Sequence, residues 1–123
     1  MSALTISLPW PDPALSPNRK NGKHWTAVHD IKTRAKTDAH YLTMAAMAEQ
    51  GLPEFAPQIP LTLTFHTPDR RARDADNLLA ASKPLLDGMA GALGVDDSRF
   101  EPIVIRRVAG KRPGALVVEV GHV

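Results

Sequence analysis

Asp74 and Asp76 stand two residues apart, and Asp97, beside Asp96, follows them some twenty residues later. Two carboxylates about 4 Å apart repel by roughly 4 kcal/mol at an effective dielectric near 20. Three held together must take up protons or hold a cation. The chain contains no cysteine, so an oxygen-only cluster suits Mg²⁺, with Mn²⁺ as an alternative. Such an ion polarises a phosphate oxygen and activates water, which is what phosphodiester hydrolysis requires. Arg70, Arg71 and Arg73 flank the first two acids and can hold backbone phosphates. Lys83 lies seven residues after Asp76. On an unbroken helix that spacing returns it to the same face within about 20°, where it can stabilise charge on a scissile phosphate. A purely structural reading stands beside this one. In it Asp76 is a helix N-cap, Asp96 and Asp97 are turn residues, the arginines pair with the acids, and Lys83 forms an exposed pair with Asp87.

The elements that must position these residues are legible in the hydrophobic pattern. Leu4, Ile6 and Leu8 alternate with Thr5 and Ser7 as a half-buried strand, and Pro9, Pro11, Pro13 and Pro17 exclude regular structure to about residue 18. Val28, Ile31, Ala35, Ala39, Leu42 and Ala46 fall at helical spacing, predicting a helix from about Thr26 to Gln50, stopped by Gly51 and Pro53. Leu61, Leu63 and Phe65 form a second strand ending at Pro68, and a charged loop, Asp69 to Asp76, follows. A second helix carries Leu78, Leu79, Leu85, Leu86, Met89 and Leu93 and closes at Gly94. Pro84 cannot donate to residue 80, which predicts a kink there or a restart with Ser82 as N-cap. Residues 103–108 and 116–120 read as strands joined by a hairpin turn over 109–115, with Gly110, Pro113 and Gly114. The expectation is a single α+β domain over residues 1–123. A small mixed β-sheet packs with two main helices, in the order β-α-β-α-β-β along the chain.

Composition narrows the setting. A chain of 123 residues with 43% hydrophobic content can bury a core without staples. There is no apolar run near the ~20 residues of a membrane span, and the N-terminus lacks the basic start and apolar stretch of a secretory signal. The absence of cysteine excludes disulfides and zinc-thiolate sites. These features predict a cytoplasmic protein without a membrane partner. The net charge is only +2, so the distribution of charge says more than its sum. Residues 19–36 carry Arg19, Lys20, Lys23, Lys32, Arg34 and Lys36 against Asp30 alone. This stretch reads either as a phosphate-binding surface or as a solvated helix face. His24-Trp25 beside Lys20 and Lys23 can touch DNA, the tryptophan offering a stacking face, or the tryptophan can cap the core. The five histidines show no metal spacing, and no Walker A loop, dinucleotide fingerprint or Gly-x-Ser-x-Gly elbow is present.

Together these residues resemble the RusA family of Holliday junction resolvases, especially its phage and prophage members, over most of the chain. The likeness begins at Leu8-Pro9-Trp10-Pro11 and Leu15-Ser16-Pro17-Asn18. It continues through Arg73-Asp74-Ala75-Asp76-Asn77-Leu78-Leu79 and Lys83-Pro84-Leu85-Leu86-Asp87-Gly88, and closes with Val95-Asp96-Asp97-Ser98. The resemblance implies a homodimeric α+β nuclease that cuts four-way DNA junctions with Mg²⁺. It implies a metal site of Asp74, Asp76 and Asp97, with Lys83 as the important lysine and Asp96 beside the site. The chain departs from some members in placing that lysine two helical turns, rather than one, after the Asp-x-Asp.

Junction resolution by paired hydrolytic nicks is the leading expectation. Cleavage of other branched DNA, such as flaps or forks, would use the same metal chemistry. A non-catalytic DNA-binding module would make the acids structural and leave the work to the basic stretch. A hydrolase of small phosphate esters would need an enclosed pocket.

Overall fold

A computed structural model describes residues 4–16 and 25–121. The described residues form one four-stranded mixed sheet and two main helices, the α+β domain that the pattern predicts. The order along the chain is β1 (Leu4–Pro9), α1 (Trp25–Gln50), β2 (Ile59–Thr67), α2 (Ala75–Leu93), β3 (Phe100–Ala109) and β4 (Ala115–Val120). Two short 3-10 turns, Pro13–Leu15 and Asp97–Arg99, precede α1 and β3.

Strict alternation in three strands builds the core. Cross-strand partners line up as Leu8–Leu116–Phe65, Ile6–Val118–Leu63 and Leu4–Val120–Leu61, three rows of three on one face. None of the nine is more than 2% exposed. Each fully buried side chain of this size contributes about 1.5–3 kcal/mol of transfer free energy. Ala39 and Ala46 of α1, and Leu78, Leu85, Leu86, Met89, Ala90 and Leu93 of α2, join the same core. On α1 the pattern predicts Leu42 inside, but Leu42 is 40% exposed and Thr43 is buried in its place. The Thr43 hydroxyl donates to the Ala39 carbonyl at 2.7 Å, which satisfies it without leaving the helix. The helices meet at Gly88, where a Cβ would fall 2.1 Å from the Lys36 carbonyl oxygen, so the backbones approach only because that position has no side chain.

The sheet departs from the expected hairpin. Its order is β1-β4-β2-β3, so β2 separates β3 from β4. β2 pairs parallel with β3, through the crossover helix α2, and antiparallel with β4. Residues 110–114 therefore carry the chain across the end of β2 rather than around a tight turn. Two strand spacings are about 10 Å, within the reach of five residues. Two glycines admit the crossing: a Cβ on Gly110 would fall 2.8 Å from the Thr67 carbonyl oxygen, and one on Gly114 would fall 3.0 Å from that of His66.

Helix α2 also continues through Pro84 as one element, without the restart at Ser82 that the sequence offers as an alternative to a kink. Ser82 is buried inside the helix and donates to the Leu78 carbonyl at 2.7 Å instead of capping a new one. Pro84, Leu85 and Leu86 are all buried, so packing holds the helix across the missing N–H.

Candidate functional site

The loop from Pro68 to Asp74 joins the end of β2 to the start of α2, and its geometry is set by Asp69. The Asp69 carboxylate accepts from both terminal nitrogens of Arg73, at 2.9 and 3.2 Å. It also accepts from the Arg71 backbone N–H at 2.9 Å and from the Arg71 guanidinium at 3.2 Å. The Arg73 bonds first, and then those from Arg71, hold the Asp69 carboxyl well below the usual carboxylate range. Arg107 of β3 donates to the Arg73 carbonyl at 2.6 Å, tying the loop to the sheet edge. The Arg73 guanidinium lies over the Trp10 indole, 5.2 Å from its centroid, and Trp10 in turn meets Phe65 edge-on at 5.9 Å.

The three arginines are therefore not equivalent. The Arg73 side chain is only 16% exposed and is spent on Asp69 and Trp10, whereas that of Arg71 is 72% exposed. Arg70 is exposed and makes no ion pair among the described residues. Lys20, Lys23 and His24 lie outside the described residues, as does the Trp25 side chain.

Asp74, not Asp76, is the N-cap of α2. It has extended backbone, makes no side-chain cap hydrogen bond, and its carboxylate is reached by the Asn77 amide at 3.5 Å. Asp76 lies in the first turn, exposed and without an ion pair among the described residues. The positive end of the helix dipole favours both anions. At the other end of α2, Gly94 closes the helix in the left-handed conformation and the chain turns back along it. Asp96 caps the next 3-10 turn by accepting from the Ser98 N–H at 2.9 Å, a bond that lowers its pKa. Arg99 anchors this turn to the 51–58 segment by donating to the Ala56 and Pro57 carbonyls at 2.9 and 3.0 Å.

That return brings Asp97 to Lys83. The Lys83 ammonium donates to Asp97 and, at 2.5 Å, to Asp87. These bonds, Asp87 first, raise its pKa. The structural reading of Lys83 thus accounts for one of its two partners. Lys83 sits seven residues beyond Asp76, about 10 Å along the helix at ~1.5 Å per residue. The fold thus connects Asp97 to the helix that begins at Asp74 and Asp76, but about two turns along it. Among the described residues, no group of three or more His, Asp or Glu side chains is placed to hold a metal ion. The donor chemistry nevertheless suits a hard cation, because Asp74 and Asp76 are two residues apart, exposed and, among the described residues, not ion-paired.

Asp69, Trp10 and Arg107 carry the loop, a part that the sequence does not assign to any of them. The Asp69–Arg73 spacing of four residues was the available signal for the first. Nothing local signals that Trp10, just after β1, and Arg107, on β3, would arrive here.

No family model matches the chain. Over 97 residues, 78% of the chain, it is 38% identical to an uncharacterized protein of Xylella fastidiosa (strain Temecula1 / ATCC 700964), of which the match covers 61%. The chain thus spans less than two thirds of that relative's length. Among the described residues, no helix is long and apolar enough to cross a membrane.

Proposed function

We propose that this protein is a metal-dependent endonuclease of the RusA type, cutting four-way DNA junctions by paired nicks as a homodimer in the cytoplasm. The observation that carries the reading is the contact between Lys83 and Asp97. It links the second acidic loop to the helix whose N-cap and first turn carry Asp74 and Asp76. Asp74 and Asp76, with Asp97 brought to them from its place beside Lys83, would hold Mg²⁺ or Mn²⁺. Bound there, the ion would polarise the phosphodiester and supply activated water. Arg70 and Arg71 attract the DNA backbone from the exposed side of the loop, while Arg73 keeps the loop in shape. Lys83 offers a positive charge to the phosphate undergoing cleavage. Its exposed ion pairs contribute under about 1 kcal/mol each and do not lock it away.

The test incubates purified protein with a mobile four-way junction, a flap and a linear duplex, each with Mg²⁺ or EDTA. Symmetric nicks in the junction, dependent on Mg²⁺, are expected. Preferential cutting of the flap would move the substrate to other branched DNA. A second reading, a DNA-binding module without catalysis, is favoured by the separation of Asp97 from Asp76. It requires junction binding with no cleavage under any divalent cation.

A further inference from the structure

A cleft of about 360 Å³ opens between the segment after β1 and the loop before α2. We propose that this cleft takes a single nucleobase turned out of its stack, beside the strand presented to Asp74; the inference rests on the nuclease reading for its ligand. One wall is the Trp10 indole with the Arg73 guanidinium over it. Leu78 and Ala81, both buried residues of α2, supply apolar lining. Asn77 and Asp74 stand where the cleft meets the proposed site.

Each feature selects for a flat, neutral, polar-edged ring. Aromatic and guanidinium planes stack on any base. The Asn77 amide carries both donors and an acceptor, which suits a base edge. Arg71, exposed on the cleft lining, can meet a backbone phosphate, but Asp12 and Asp74 both line the cleft and Arg73 is paired with Asp69, so the interior favours a neutral ring over a second phosphate. The volume lies in the range of small-ligand sites, about 300–1,000 Å³. The wall is also preorganised: Asp69 grips Arg73 at two points, Arg107 holds its carbonyl, and Phe65 backs the indole. Little ordering remains to oppose binding.

The chain has two tryptophans, so the Trp25→Phe protein reports on Trp10 alone. It is titrated in EDTA with a thymidine octanucleotide and with an abasic octamer of equal charge. The base-bearing strand is expected to quench Trp10 emission and to bind about tenfold or more tighter, the scale of one stacked base. Ala72 is exposed and lines the cleft, so Ala72→Leu should fill it without disturbing the core. That variant is expected to lose the preference for the base-bearing strand while keeping its affinity for the abasic one. Equal binding and equal quenching by both strands, no quenching by either, or a preference that survives Ala72→Leu would each overturn the cleft. Junction cleavage in Mg²⁺ is measured on the same protein. Cleavage without a base preference sinks the cleft alone, whereas a base preference without cleavage sinks the nuclease reading and leaves the cleft standing.

Discussion

Asp69 determines what the arginines beside it can do. Its depressed pKa means that the Asp69–Arg73 clamp stabilises the fold fully above the ordinary carboxylate value of about 3.9. That contribution is lost as pH falls from there through the lower folded-state value. Asp69→Asn should therefore melt earlier than wild type at pH 7. The gap should hold constant down to about pH 4–5 and narrow in more acid solution, as thermal scans at stepped pH would show. A gap that widened with acid would contradict the sign. At Lys83 the direction is opposite: a raised pKa keeps the ammonium charged throughout the neutral range, and its contribution fades only above the ordinary lysine value. Lys83→Ala should slow cleavage by about tenfold or more while changing affinity in EDTA far less, because a charge acting on the transition state enters the rate. Equal losses in rate and affinity would reduce Lys83 to a phosphate contact.

Elements were read well where burial follows local periodicity and poorly where it depends on distant chain. The strands around Ile6, Leu63 and Val118 alternate plainly because one face is dry, and both helices fall within a residue or two of their expected spans. The sheet order was not legible. Gly110, Pro113 and Gly114 signal that the chain reverses, but no local residue says that β2 lies between the strands they join. The restart considered at Pro84 is absent for a related reason, since its helix is retained by packing that the pattern does not weigh. For the candidate site, the sequence named the three aspartates and Lys83, of which Asp97 and Lys83 meet in the structure, and the N-cap falls on Asp74 rather than Asp76. The sequence could not measure how far Asp97 travels back along α2. The helix crossing provides a test at this scale. Gly88→Ala places a methyl against the Lys36 carbonyl, and denaturant titration should show a loss of about 3 kcal/mol, at the upper end of overpacking effects. A loss under about 0.5 kcal/mol would mean that the helices can part cheaply.

At the scale of the molecule, charge and symmetry carry the account. Arg70, Arg106, Arg107, Lys111 and Arg112 are exposed, and with the basic stretch 19–36 they would displace counterions from a junction. With six or more phosphate contacts, affinity should fall at least ~10³-fold between about 50 and 200 mM salt. A flat salt response would remove the proposed basic surface. Paired nicks at symmetry-related strands call for two acid clusters in fixed relation, which a two-fold dimer supplies. Light scattering should therefore give twice the chain mass, and a clean monomer that still made paired nicks would contradict this. The central claim, that the carboxylates at the head of α2 hold a catalytic metal ion, is tested most directly by Asp76→Asn. The change conserves shape and leaves the cap at Asp74 untouched, so the melting temperature should stay near wild type. One anionic ligand is lost, so the account predicts that cleavage in Mg²⁺ is abolished. Junction affinity in EDTA should hold or rise, because a charge that repels phosphate has gone. A folded Asp76→Asn protein that cuts junctions at the wild-type rate would contradict it.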